Sequence, residues 1–219
     1  MSAPAELAEL TCEELLTTTR SVRRGLDLDR PVPLELVRDC LRIAVQAPNG
    51  FNRQDWRWIV LADPDRRAEV AAVYRAAFNR RFAAQLERLD EVDPVTRTAL
   101  ADGRDLAAKL HRVPVLLLPC LELGERRLTA DNQAGVWSSL APATWSFMLA
   151  ARTRGLGTVL TTVHLDAEAE VAALLGLPAN VRQGGLLPVA YAVRTRFRPG
   201  PRRPLDEVLH LDGWNGARG

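Results

Sequence analysis

One short loop carries several groups that bind anions. Arg20, Arg23 and Arg24 surround Ser21 within five residues. A guanidinium group forms charge-assisted, often bidentate hydrogen bonds to phosphate or carboxylate oxygens, and a hydroxyl adds a further donor. The loop therefore predicts an anion site. The alternative is a solvated charged loop, which arises easily in this chain because all but one of its 29 basic residues are arginine.

A second stretch, residues 46–58 (QAPNGFNRQDWRW), is rich in amide side chains. Asn49, Asn52 and Gln54 follow Pro48 and flank Gly50. Amides offer donors and acceptors without net charge, and a glycine allows the backbone to approach a ligand closely. Such groups suit recognition of a flat heterocycle. The alternative is an Asn/Gly turn that ends a helix, which explains Gly50 but not the run of amides.

Several other chemistries have no support in the sequence. His111, His164 and His210 lie far apart and in no metal-ligand spacing. No G-x-S-x-G or Walker A motif occurs, and no Cys–His pair has a local catalytic context. The segment GLGTVL at Gly155 lacks the third glycine of a dinucleotide fingerprint and follows a predicted helix instead of a strand. We interpret it as a helix C-cap followed by a turn.

The composition indicates a globular protein of the cytoplasm. The 219 residues are 47% hydrophobic and 26% charged, which is ample for a core. A net charge of +2 is too balanced to suggest a nucleic acid partner. Three scattered cysteines indicate a reducing compartment, and the N-terminal MSAPAELAEL lacks the features of a signal peptide. Since no apolar run approaches membrane-spanning length, we also expect no membrane association.

Hydrophobic periodicity predicts the elements that position these segments. Thr11 and Glu14 form a capping-box pattern for a short helix before the arginine loop. Pro33 suits the first turn of a second helix, which ends before Pro48. Further helices are predicted over residues 65–89, 94–111, 131–154 and 166–176. The third is closed by a left-handed Gly155, and the fourth is capped by Asp166. The apolar face of the first carries Val70, Val73, Tyr74, Ala77 and Phe78. Strands are predicted over residues 56–62, 113–122, 157–162 and 184–193.

The C-terminal segment predicts an association between subunits. It contains prolines at positions 199, 201 and 204, yet it still carries the apolar residues Leu205, Val208, Leu209, Leu211 and Trp214. An apolar arm that has no room to make a core of its own is expected to lie against another surface. A second subunit could supply that surface.

Taken together, these segments resemble the nitroreductase superfamily of flavin enzymes. The family pattern runs R-R-S-V-R, P-V-P, A-P-S-G-x-N-x-Q-P-W and then a helix that ends in A-A-R-x-x-G-L-G. The chain has, in the same order, RSVR (20–23), PVP (31–33), APNGFNRQDW (47–56), LAAR (149–152), GLGT (155–158), LTT (160–162) and RPL (203–205). It departs from the pattern at Thr19, Asn49, Asp55 and Ser146, where an arginine, a serine, a proline and an asparagine are usual.

The resemblance implies an FMN site. The arginine loop and a C-terminal arginine would bind the phosphate, the amide segment would contact the flavin of the partner subunit, and threonines after the GLGT strand would lie near the reactive edge of the isoalloxazine. By position, the implied cofactor-binding residues are Arg20, Ser21, Arg23, Pro48, Asn49, Gly50, Asn52, Gln54, Thr161, Thr162, Arg202 and Arg203. No catalytic side chain and no metal ligand is implied, because the flavin carries the chemistry.

The resemblance also implies a fold and an activity. The expected fold is an α+β three-layer sandwich with a mostly antiparallel sheet flanked by helices. Residues 1–219 would form one domain in an intertwined homodimer, with C-terminal arms (about 196–219) crossing to the partner. The expected activity passes hydride from NADH or NADPH via FMN to a nitroaromatic, quinone or similar conjugated small molecule, by a ping-pong mechanism. Two alternatives stay open: a flavin-dependent desaturase or oxidase, and a non-catalytic flavin-binding or sequestering protein.

Overall fold

The computed structural model describes residues 9–214, so the first eight residues of the predicted domain and the last five of the predicted arm lie outside it. The helices are α1 Cys12–Thr18, α2 Leu34–Ala44, α3 Pro64–Arg81, α4 Ala83–Glu87, α5 Pro94–Lys109, α6 Gln133–Arg152 and α7 Glu168–Leu175. The strands are β1 Leu26–Asp27, β2 Trp56–Leu61, β3 Val115–Glu122, β4 Leu156–Thr158, β5 Val181–Gln183 and β6 Leu187–Ala192. Short 3-10 turns occupy Gly50–Asn52, Leu110–Arg112, Val163–Ala167 and Leu205–Glu207.

The strands form one antiparallel sheet centred on β3 and β6. Strand β3 pairs with β2 along six residue pairs, from Trp56 opposite Leu121 to Leu61 opposite Leu116. It also pairs with β6 and β5. Strand β6 pairs with β1 and β4 as well, and β4 ends with Thr158 opposite Val189. The sheet therefore places β4, which precedes the predicted Thr161 and Thr162, beside the last strand of the chain, β6.

Helices cover both faces of the sheet. Because side chains alternate along a strand, Leu116 and Leu118 of β3 point into a core shared with α3 and α5. Val115 and Leu117 point the other way, into a core shared with α2 and α6. The result is three layers, helix–sheet–helix, which confirms the predicted α+β fold.

Local signals account for several helix boundaries. Thr11 and Glu14 form the predicted capping box, with Thr11 N–H donating to Glu14 Oε2 at 2.8 Å and Glu14 N–H donating to Thr11 Oγ1 at 3.1 Å. Gly155 takes the predicted left-handed conformation, with φ of 75°. Helix α6 is buried along Ala143, Phe147 and Ala151, as its apolar sequence predicts. Across residues 9–214 the structure contains no helix with both the length and the apolarity needed to span a bilayer.

Three predicted elements differ from the structure. The predicted helix over residues 65–89 is two helices, because the backbone leaves the helical region at Phe82, whose ring packs 4.8 Å from that of Phe78. Asp166 does not cap α7; it lies inside a 3-10 turn and pairs with Arg81 at 3.6 Å. The predicted strand over residues 157–162 stops at Thr158 and resumes only as a single bridge between Thr161 and Leu186.

Candidate functional site

The arginine loop is held against β4. The amide of Val22 donates a hydrogen bond to the carbonyl oxygen of Thr158 at 2.9 Å, and the Val22 side chain is buried. Gly157 makes this approach possible. A Cβ at position 157 would lie 2.9 Å from Leu26 Cδ2 and 3.1 Å from Val22 Cγ1. The loop is therefore fixed in the middle by its buried valine, with the polar residues on either side.

All but one of the polar side chains of this loop lack a protein partner in the described chain. Within residues 9–214, Arg20, Ser21 and Arg23 form no side-chain hydrogen bond and no ion pair, although both arginines are half-buried. Arg24 differs, because its guanidinium pairs with Asp102 of α5. Partly buried charges without counter-charges are costly, so the pair Arg20 and Arg23 is suited to an anionic ligand.

A second group joins the loop from α3 and from the chain after β4. Tyr74 is 2% exposed, and its hydroxyl lies 3.0 Å from Thr161 Oγ1. Burial raises the pKa of Tyr74, while the hydrogen bond with Thr161 and the charge of Arg23 oppose that shift. The phenol is thus a neutral hydrogen-bonding group within the electrostatic reach of Arg23. Thr162, beside Thr161, is exposed.

Tyr74 is a candidate site residue, although its sequence pattern predicts only a place on the apolar face of its helix. The sequence does contain one sign of a polar role, which is a tyrosine on an apolar helix face, because a buried phenol needs a hydrogen-bonding partner. The partner, Thr161, is 87 residues further along the chain. No local pattern could identify it.

The C-terminal arm passes directly over the arginine loop. Gly200 packs so closely on Arg20 that a Cβ at position 200 would lie 2.2 and 2.3 Å from the two terminal guanidinium nitrogens. Arg202 and Arg203 follow within three residues and are exposed. Among residues 9–214, Arg202 donates a hydrogen bond only to the neighbouring Pro201 carbonyl oxygen, at 2.8 Å. The structure therefore brings the arm to Arg20 at Gly200, two residues before the predicted Arg202 and Arg203.

The amide loop is strained and self-bonded. Phe51, Asn52 and Gln54 all have φ between 52° and 55°, a region that residues other than glycine seldom occupy. Asn49 Oδ1 accepts from the Gln54 amide at 3.0 Å, and Asn52 Oδ1 accepts from Gln54 Nε2 at 3.1 Å. Three such residues in four positions make this loop a candidate for a functional segment, since strain of this kind collects at functional sites.

The amide loop is anchored on the first half of α6. The Gly50 amide donates to Ser139 Oγ at 3.2 Å, and Asp55, where the family pattern has proline, pairs with Arg126. A cavity of about 340 Å³ opens between the loop and α6, and Phe51, which is 93% exposed, stands at its rim. Pro48 lies exposed at the start of the loop. These groups offer a flat aromatic surface next to polar and charged side chains.

Within one chain, the structure forms two separate groups of predicted residues. In the first group, Tyr74 contacts Thr161 and feels the charge of Arg23, and Gly200 of the arm packs on Arg20. In the described residues, the polar contacts of residues 48–54 go to the loop itself, to Arg57 and to α6, and none goes to the arginine loop. That the amide loop contacts the flavin of a partner subunit stays a prediction.

Comparisons with known proteins identify the family of the chain. The Nitroreductase family matches residues 16–191 of the chain. An NADH dehydrogenase of Thermus thermophilus is 30% identical over 220 residues, covering 94% of this chain and 98% of that protein. Iodotyrosine deiodinase 1 of Homo sapiens is 26% identical over 90% of this chain, which spans about two thirds (66%) of that protein's length.

One solved structure extends the comparison to a bound flavin. An oxidised iodotyrosine deiodinase bound to FMN and 3-iodo-L-tyrosine has a TM-score of 0.66 and 25% identity, covering 92% of this chain and 98% of that one. The family match extends from α1 through most of β6 and so includes the arginine loop, the amide loop and Thr161. The chain therefore belongs to the nitroreductase family.

Proposed function

We propose that the protein binds FMN and uses NADH or NADPH to reduce a flat conjugated acceptor, such as a nitroaromatic or a quinone, in a ping-pong reaction. The observation that carries the proposal is the arginine loop. Arg20 and Arg23 flank Ser21 without any counter-charge among the described residues, and the hydrogen bond from Val22 to Thr158 fixes their loop on β4, three residues before Thr161.

The loop fits the phosphate of FMN. A phosphate dianion offers several acceptor oxygens, and two guanidinium groups with one hydroxyl supply charge-assisted donors for them. The exposed Arg202 and Arg203 would add positive charge from the arm. A solvated loop needs none of this arrangement, because its arginines would be free to extend into water or to pair as Arg24 does with Asp102.

The residues further into the site fit an uncharged ring system. Tyr74 and Thr161 form a neutral hydrogen-bonded pair, and Arg23 would supply positive charge to the flavin. FMN, when bound, would supply two-electron chemistry between a nicotinamide donor and an acceptor. The protein's own residues would bind, orient and polarise, and within residues 9–214 no cluster of three or more His, Cys, Asp or Glu side chains could hold a metal ion.

We propose a homodimer as the functional unit. The amide loop of one subunit would then meet the arginine loop of the other, and Pro48, Asn49, Gly50, Asn52 and Gln54 would complete the flavin site. Exposed apolar side chains support this arrangement on several elements: Leu34, Ile43, Phe51, Trp145, Leu160 and, in the arm, Leu205, Val208, Leu211 and Trp214. Large apolar side chains that gather on one surface are typical of an interaction site.

The test is an anaerobic reduction experiment on the purified protein loaded with FMN. The proposal predicts that NADH or NADPH bleaches the flavin absorption and that a nitroaromatic or quinone restores it. Bleaching that only oxygen reverses, after slow reduction, would favour the oxidase or desaturase, and flavin that no donor reduces would favour the sequestering protein.

A second candidate acceptor class is the iodinated phenol, because an iodotyrosine deiodinase is among the relatives. Iodotyrosine therefore belongs in the acceptor screen, with released iodide as the readout. Iodide release that outpaces nitroaromatic and quinone reduction would replace the proposed acceptor. Reoxidation by the quinone or nitroaromatic alone would retain it.

A further inference from the structure

Arg152, at the end of α6, is a buried cation without a counter-charge. The residue is 8% exposed, and neither Nε nor Nη2 has a hydrogen-bonding partner among the described residues. Burial lowers the pKa of its guanidinium below the usual value. A buried charge in this state is costly and persists only where something compensates it.

The compensating group that the structure describes is the ring of Phe197. The Arg152 guanidinium carbon lies 4.3 Å from the ring centroid, within the range of a cation–π interaction. Three other arginines in residues 9–214 lie over aromatic rings, but Arg30, Arg53 and Arg81 are all exposed to solvent. A cation–π contact gains most when the cation is desolvated, so the contact of Arg152 should be the strongest of the four.

Phe197 also marks the point where the arm begins to run toward the arginine loop. Gly200, three residues later, is packed on the Arg20 guanidinium. Three residues span at most about 10 Å, so the two contacts together leave this part of the arm little freedom. Arg202 and Arg203 follow directly, and in the described chain neither pairs with a carboxylate.

We propose that Arg152 and Phe197 are positioning residues for the phosphate end of the cofactor site. Their contact fixes the arm on α6, and the arm in turn holds Arg202 and Arg203 beside Arg20. This inference rests on the proposed FMN site, and it concerns the phosphate of the cofactor and not its ring.

Riboflavin, which lacks the phosphate, separates positioning from a general structural role. The experiment measures the dissociation constants of FMN and riboflavin for the wild type and for Phe197→Ala, Phe197→Leu, Phe197→Tyr and Arg152→Met. We expect Phe197→Ala and Arg152→Met to weaken FMN binding by roughly tenfold while the riboflavin constant stays unchanged. Phe197→Leu should weaken FMN binding as Phe197→Ala does, because leucine keeps bulk but has no π face. Phe197→Tyr keeps a π face and should bind FMN like the wild type.

The matched control is Arg198→Ala, which removes one exposed arginine of the same arm next to Phe197 and should change FMN binding by less than about twofold. If Phe197→Ala weakened the binding of FMN and of riboflavin equally, or if Phe197→Leu bound FMN like the wild type, the contact would be ordinary packing and the inference would be overturned. FMN binding that is unchanged in both Phe197→Ala and Arg152→Met would overturn it as well. A wild type that binds neither flavin would instead overturn the proposed function.

Discussion

The hydroxyl of Tyr74 lies 3.0 Å from Oγ1 of Thr161, so the buried face of α3 supplies a polar group to the site next to the arginine loop. Both residues are held by their surroundings. Tyr74 is part of the core, and Thr161 exchanges two backbone hydrogen bonds with Leu186, at 2.9 and 2.8 Å. The geometry of the site near Arg23 therefore depends on the packing of α3 against the sheet.

The Tyr74–Thr161 hydrogen bond should be measurable as a coupling. Tyr74→Phe keeps the ring but removes the hydroxyl, and we expect it to lower the free energy of unfolding by about 1 kcal/mol. Thr161→Val should cost a similar amount, and the double variant should cost less than the sum of the two. Urea denaturation of the four proteins measures this. Strictly additive losses would mean that the two hydroxyls do not interact.

Gly157 should be intolerant of a side chain because of the arginine loop. A Cβ there would meet Leu26 and Val22 at 2.9 to 3.2 Å, so Gly157→Ala should displace the loop and cost about 1–3 kcal/mol of stability. The matched control is Gly135→Ala in α6, where a Cβ would have no neighbour within 4 Å and alanine should stabilise the helix by up to about 1 kcal/mol. Thermal unfolding of both variants gives the comparison. Equal melting temperatures would contradict the close packing of the loop on β4.

His164 should make the protein sensitive to mild acid. It is fully buried, and burial lowers its pKa from 6.5 to about 4, against the opposing effects of the Glu168 charge and Gln183. Between these values the unfolded chain binds a proton that the folded chain does not. The free energy of unfolding therefore falls as pH falls from about 6.5 to 4, by about 3 kcal/mol in total.

Denaturation curves at several pH values test the effect of His164. His164→Gln should flatten the dependence between pH 6.5 and 4, whatever its effect on stability at neutral pH. Glu168 adds to the loss only as pH falls below about 4.5, its ordinary pKa. Although burial acts to raise its pKa, hydrogen bonds from Arg182 and the Gln183 amide hold it below 4.5. His111→Gln, at an exposed position, is the control, and an unchanged slope in His164→Gln would contradict the assignment.

Local sequence signals predicted most of the fold. The capping box of Thr11 and Glu14 and the left-handed Gly155 depend on neighbouring residues, so the sequence alone identifies them. The continuous apolar run of β3 indicates a strand covered on both faces, and the structure confirms this. Strands β1 and β5 were not predicted, because two or three residues become a strand only through pairing with β6 and β3.

The same distinction between local and long-range signals applies to the candidate site. The arginine loop and the amide loop are short motifs whose residue types indicate their chemistry, so both could be proposed from the sequence. The contacts that fix them are long-range: Tyr74 with Thr161, Arg20 with Gly200, and Arg152 with Phe197. The end of α3 at Phe82 and the ion pair of Asp166 with Arg81 were missed for the same reason, since each depends on tertiary packing.

The most direct test of the central claim is an equilibrium titration of the flavin-free protein with FMN, followed by flavin fluorescence. We predict saturable binding of one FMN per chain, weakened on the order of a hundredfold in Arg20→Gln/Arg23→Gln because two charge-assisted contacts to the phosphate are lost. The control is Arg38→Gln/Arg88→Gln, which removes the same charge from two exposed ion pairs and should bind FMN like the wild type. No saturable binding by the wild type, or equal affinity in the Arg20/Arg23 variant, would contradict an FMN site at this loop.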